Sequence, residues 1–108
     1  MILTTTENIP GYKITQILGV VRGNAVRAKN FVSDFVAGLK NVVGGEIDEY
    51  TALLSDAREQ ALKRMVKQAQ ALGANAVVNV RFTTSSVMQG MAEMLAYGTA
   101  VKLQKIEE

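Results

Sequence analysis

The chain has 108 residues, 48% hydrophobic and 20% charged, with 12 Lys and Arg against 10 Asp and Glu for a net charge of +2. A length of this order suits one domain over 1–108, whose core removes roughly two-thirds of the unfolded surface from water; the composition is globular rather than disordered. With no cysteine and no histidine, the chain has no disulfide, no Ser-His-Asp triad, no cysteine nucleophile and none of the usual proton shuttles of neutral pH.

The start, Met1-Ile2-Leu3-Thr4-Thr5-Thr6-Glu7, lacks the basic residues and apolar run of a secretory signal. No stretch approaches the roughly 20 apolar residues of a membrane helix, and there is no Asn-x-Ser/Thr acceptor. The expected compartment is the cytoplasm. A short strand opens the chain, and Pro10 is its only proline. Over about 12–21, Tyr12, Ile14, Leu18 and Val20 alternate with Lys13, Thr15 and Gly19, which predicts a strand whose apolar face is interrupted by Gln16. Phe31, Val32, Phe35, Val36, Leu39, Val42 and Val43 then recur at helical spacing. They predict a shorter helix with Asn30 as N-cap and Gly44-Gly45 as its stop.

A long helix over 47–72 follows, its stripe made by Ile47, Tyr50, Leu54, Ala57, Ala61, Met65, Ala69 and Leu72. Asp48 and Glu49 suit its positive end, Lys63, Arg64 and Lys67 lie towards its negative end, and Gly73 is the natural left-handed residue after it. After the joint Gly73-Ala74-Asn75-Ala76, the residues Ala76, Val78, Val80 and Phe82 alternate with Val77, Asn79, Arg81 and Thr83, predicting a strand with one apolar face. A turn at Gln89-Gly90 leads to a last strand. Its faces are Leu95, Tyr97, Thr99, Val101 and Leu103 on one side and the small Ala96, Gly98 and Ala100 on the other. Small side chains let another layer come close, so that second face is expected to be a contact surface.

A helix over 47–72 would be roughly 39 Å long at 1.5 Å per residue, while a compact 100-residue domain has a radius of gyration of about 13 Å. One small sheet does not cover such a helix, so its stripe and the final hairpin call for partners. A homo-oligomer is the economical solution.

The run Thr4-Thr5 with Ile9-x-Gly11, then Gly19-x-Val21-x-Gly23, Gly44-Gly45, Tyr50, Ala57-Arg58-Glu59 and Leu72-Gly73-Ala74-Asn75-Ala76-Val77-Val78 resembles the YbjQ-like family along nearly the whole chain. These are small prokaryotic proteins named for heavy-metal binding, with no assigned biochemical role. The resemblance implies a dodecin-like α+β subunit, an antiparallel sheet packed with one shorter and one long helix, assembled as a ring-shaped homopentamer.

Candidate sites are few. Gly73 and Asn75 make a helix stop and a tight turn by their backbone preferences; alternatively the Asn75 amide holds a polar ligand at a subunit boundary beside Arg58 or Tyr50. Met88-x-x-Met91-x-x-Met94 offers thioethers that select soft ions such as Cu(I) or Ag(I), although strand alternation sets Met91 and Met94 on opposite faces and methionine commonly fills apolar interfaces. Glu46, Asp48 and Glu49 present oxygens to a hard cation or simply complement the helix dipole. Gly19-Val20-Val21-Arg22-Gly23 lacks the spacing and Gly-Lys-Ser/Thr ending of a phosphate loop and reads as strand with close backbone packing. Arg22, Arg27 and Lys29 would form a basic strip, but three Tyr, three Phe and no Trp make a poor stacking platform, which argues against nucleic acid. The leading expectation is a non-enzymatic homo-oligomer that binds a small molecule or metal ion at its boundaries. The rival is an enzyme with Glu59 as acid or base and Arg58 as anion anchor.

Overall fold

The computed structural model of the chain describes the backbone of residues 1–28, 46–88 and 91–107, and the side chains of 1–27, 52–86 and 91–107. The elements are β1 (Ile2–Leu3), β2 (Tyr12–Ala28), α1 (Glu46–Ala71), β3 (Ala76–Met88) and β4 (Met91–Lys105). They form an α+β unit in which α1 lies on one face of a four-stranded sheet ordered β1-β3-β4-β2. The shorter helix expected over 31–43, with Asn30 and Gly44-Gly45, lies outside the described residues, as do Lys29 and the Gln89-Gly90 turn.

The sheet is mixed rather than wholly antiparallel. β3 and β4 run antiparallel, as do β4 and β2, but β1 runs parallel to β3. The N-terminal segment enters beside the start of β3. There the Ile2 N–H donates to the Asn75 carbonyl at 3.2 Å and the Thr4 N–H to the Val77 carbonyl at 3.1 Å.

Helix α1 ends where expected, because Gly73 takes φ 82°, a conformation costly for a residue with a Cβ. The Gly73 N–H donates to Gln70 O and the Ala74 N–H to Ala69 O, the paired bonds of a Schellman stop. The buried ridge of α1 is Leu53, Ala57, Ala61, Met65 and Ala69. Leu54 and Leu72, expected in the stripe, are instead 40% and 45% exposed. A row at strict four-residue spacing is one of the helix's natural packing ridges, and extended in either direction from Ala57 to Ala69 it reaches Leu53 and Gly73.

This ridge is mostly alanine because the sheet beneath it approaches its backbone. A Cβ added at Gly23 would collide with the Ala61 carbonyl oxygen and the Met65 amide nitrogen. The small face of β4 is part of this packing: Ala96 and Ala100 are fully buried in the cluster with Ala57, Ala61, Met65 and Ala69. The expected contact surface is thus covered by the chain's own helix.

Strand irregularities redistribute the apolar residues. Thr15 and Leu18 are extra residues in the β2 register, so Leu18 turns to the α1 side while Ile17 and Val20 stay on the opposite face, 71% and 74% exposed. In β3 the register shifts between Val78 and Arg81, where Asn79 has φ 54°. Asn tolerates that conformation better than most side chains. The shift divides the single apolar face expected for this strand: Ala76 and Val78 pack with Val101 on the outer face, and Val80 packs under α1. β2 also continues through Arg22–Ala28, beyond the expected end near Val21.

Candidate functional site

Asn75 sits in the joint between α1 and β3 and is committed to backbone. Its Nδ2 donates to the Leu103 carbonyl at 3.0 Å, and its Oδ1 accepts from the Leu103 N–H at 2.7 Å. Its own N–H donates to Val101 O at 3.2 Å. The side-chain amide therefore behaves as an additional peptide unit that extends the pairing of β3 with β4.

Arg58 is exposed on α1, and its Nη2 donates to Ser55 Oγ at 3.0 Å. It lies roughly 20 Å along the axis from the helix end that Asn75 follows, at 1.5 Å per residue. Tyr50 is about two turns further away in the same direction, and its side chain lies outside the described residues. The fold does not bring these three residues together within one chain. A shallow open depression lined by Lys13, Gln104, Lys105, Ile106 and Glu107 includes none of them. Glu59 is likewise on the exposed side of α1, and the side chains of Glu46, Asp48 and Glu49 lie outside the described residues.

The methionines diverge. Met94 is buried under α1, 7% exposed, where its sulfur accepts a hydrogen bond from Thr84 Oγ1 at 3.3 Å. Met91 is half-buried, and alternation along β4 directs it to the other face. Met88 is in register with Met91 through the backbone, and its side chain lies outside the described residues. Arg22 and Arg27 do not form a strip either. Arg22 lies on the outer face in register with Tyr97, whereas Arg27 turns to the helix and pairs with Asp56 at 2.7 Å.

Sequence reasoning did not identify how the edge of β2 is covered. The Arg22 N–H donates to Gln68 Oε1 at 2.8 Å, the Asn24 carbonyl accepts from Arg64 Nη1, and the Val26 carbonyl accepts from Arg27 Nη1 at 3.1 Å. Long polar side chains thus satisfy backbone groups that an edge strand otherwise leaves open. The signal available was Arg64 and Gln68 at four-residue spacing, one step round the helix from the Ala-Met ridge. Further along the same strand, Ile17 and Val20 remain exposed.

Residues 1–104 match the family model YbjQ_1, described as "Putative heavy-metal-binding". The chain is 64% identical to a UPF0145 protein of Archaeoglobus fulgidus over 104 residues, covering 96% of each chain. It is 56% identical to a UPF0145 protein of Thermosipho africanus over 108 residues, covering 100% of both. A crystal structure of a protein of unknown function in the DUF74 family, from Pediococcus pentosaceus, shares the fold. Its TM-score is 0.59 at 15% identity, covering 96% of this chain and 98% of that one. Among the described residues no set of side chains fits the metal in the family's description. There is no His or Cys, no group of three acidic side chains converges among the described residues, and the Met94 sulfur is enclosed in the core.

Proposed function

The chain belongs to the YbjQ_1 family of UPF0145 proteins, and from that premise we propose that it works as a non-enzymatic subunit of a closed homo-oligomeric ring, a pentamer. The observation that carries this reading is the outer sheet face. Ile17 and Val20 are 71% and 74% exposed, and Val26 and Tyr97 are 41% and 39% exposed on the same side. Removing such side chains from water is worth about 25 cal/mol per Å², and a neighbouring copy supplies that cover. The radius of gyration supports the same reading, at 17.2 Å against about 13 Å for a compact chain of 100 residues.

Any small ligand or ion is then held between copies, because Arg58 and Asn75 lie too far apart to share one within a chain. The lack of cysteine fits a reducing compartment, so the reading places the ring in the cytoplasm. Among the described residues no helix is long and apolar enough to cross a membrane. Native mass spectrometry of the purified protein tests the proposal by reporting stoichiometry and retained ligand together. A fivefold mass is expected, and a stable monomer at micromolar concentration would refute it.

A further inference from the structure

The two edges of the sheet differ in length but meet the same level of the molecule. Ile2 is in register with Ala76, Ala76 with Val101, and Val101 with Ile17. The next row runs from Leu3 through Val77 and Ala100 to Gly19. The sheet is four strands wide over these rows, and both of its margins there are apolar and accessible. Ile2 and Leu3 are 37% and 38% exposed at one margin, and Ile17 is 71% exposed at the other.

Backbone groups are open at the same level. Ile2 and Thr4 direct their N–H groups at the carbonyls of Asn75 and Val77. Leu3 between them therefore turns its N–H and C=O away from β3. On β2, Arg22 and Asn24 face away from β4, as their bonds to Gln68 and Arg64 show. By the same alternation Val20 faces outward too. Gln68 and Arg64 of the helix, with Arg27 of the strand itself, close the edge from Arg22 to Val26 and leave the part before it available. An uncapped apolar edge is a template for another strand.

We infer that the β1 edge of one copy docks on the β2 edge of the next around Ile17 and Val20, so that the sheet continues from subunit to subunit. The inference rests on the ring reading above and specifies how the ring closes. The strand directions agree with it. β1 and β3 are parallel, while β3 and β2 are each antiparallel to β4, so β1 and β2 run the same way and meet as a parallel pair under cyclic symmetry. Two different edges make a head-to-tail contact, the kind that closes a ring when the rotation per subunit allows it. Closure leaves no free apolar edge. The capped stretch from Arg22 to Val26 has a role in this arrangement: it restricts docking to the level of β1 and prevents two β2 edges from pairing along their whole length.

Paired cysteines test the inference in a chain that has none of its own. Ile2 and Ile17 occupy one row and one face, and Val20 lies two rows further along on that face. The double variants Ile2→Cys/Ile17→Cys and Ile2→Cys/Val20→Cys allow for a two-row stagger between copies. Within a chain the two positions are separated by three strand spacings, roughly 14 Å, and a disulfide needs Cα atoms within about 7 Å. Any disulfide is therefore between copies. After mild oxidation, at least one double variant should give a non-reducing ladder that ends at the mass of the ring, while each single variant stays at the mass of one chain. A ring by native mass spectrometry with no ladder from either double variant would overturn the inference and leave the ring standing. Dimers from Ile17→Cys alone would also overturn it, since they require two β2 edges face to face. A monomer by native mass would remove the ring reading itself.

Discussion

Replacing Asn75 by alanine decides whether that side chain is a structural clamp or a ligand contact. The substitution deletes two hydrogen bonds, to the carbonyl and the N–H of Leu103, at 3.0 and 2.7 Å. A net hydrogen bond contributes about 0.5–1.5 kcal/mol, and Asn75 is exposed, so water takes over part of the lost pairing. The expected cost is the lower half of the two-bond range, about 1–2 kcal/mol, with the native mass unchanged. Urea titration followed by circular dichroism measures it, at one fixed protein concentration because an oligomer's stability depends on concentration. The variant Asn75→Asp sharpens the test: its carboxylate still accepts from the Leu103 N–H but opposes the Leu103 carbonyl. It should be at least as destabilised as the alanine variant at pH 7. It should recover part of the loss below about pH 4, where the protonated acid regains a donor. An alanine variant with the wild-type midpoint would refute the clamp, and loss of a retained ligand in that stable variant would assign Asn75 to binding.

Gly23→Ala should cost about 1–3 kcal/mol, read from the urea midpoint, because the new methyl meets the helix backbone at Ala61 and Met65; an unchanged midpoint would mean that α1 does not sit this close to β2. Gly73→Val should cost about 1–2 kcal/mol or more through conformation alone, since a Cβ there finds its nearest neighbour, Lys102 Cε, at 3.8 Å; an unaltered melting temperature would show that the helix does not stop in this way. The triple variant Met88→Leu, Met91→Leu and Met94→Leu should assemble normally at under about 1.5 kcal/mol per site, and the wild type should show no saturable Ag(I) binding by calorimetry. Stoichiometric uptake that vanishes in the variant would establish a soft-metal site.

The parts of the fold legible in the sequence are those where one period runs undisturbed. The i+4 ridge of α1 and the strict alternation of β4 both announce their buried faces, and Gly73 announces the helix stop by being the residue that tolerates φ 82°. Periodicity misleads where the backbone adds a residue. The extra residues at Thr15 and Leu18 in β2, and the turn of Asn79 in β3, transfer neighbouring apolar residues between faces without changing the composition of the segment. The stretch from Arg22 to Ala28 gives no strand signal for a different reason: its inward residues are Gly23 and Ala25, kept small by proximity to the helix, and Arg27, which pairs with Asp56, while its outward ones include Arg22 and Asn24. The parallel partner of β1 is not written locally, since it depends on where the chain returns after α1. Asn75 was legible as a turn residue, but its bonds to Leu103 join positions 28 residues apart and no local pattern carries them.

Close packing on one side of the sheet determines what remains for the other. Because α1 meets Gly23 backbone to backbone, the middle of its ridge is alanine, with Met65 and, a turn before Ala57, Leu53 as its large side chains. The α1 face therefore uses little of the chain's bulky apolar inventory. The larger residues of β2, Ile14, Ile17, Val20 and Val26, are between 37% and 74% exposed. A sheet face with only one side chain of that kind would need no explanation. Four along one strand do, and the strand that carries them is an edge whose backbone the helix caps at Arg22 and Asn24, and Arg27 of the same strand at Val26, but which has no such cap at Val20 among the described residues. Side chains and backbone are thus left open over the same rows, which is the condition for adding a strand rather than packing a loose hydrophobic surface. The short β1 edge meets that condition from the other side, at the same level and with the same strand direction.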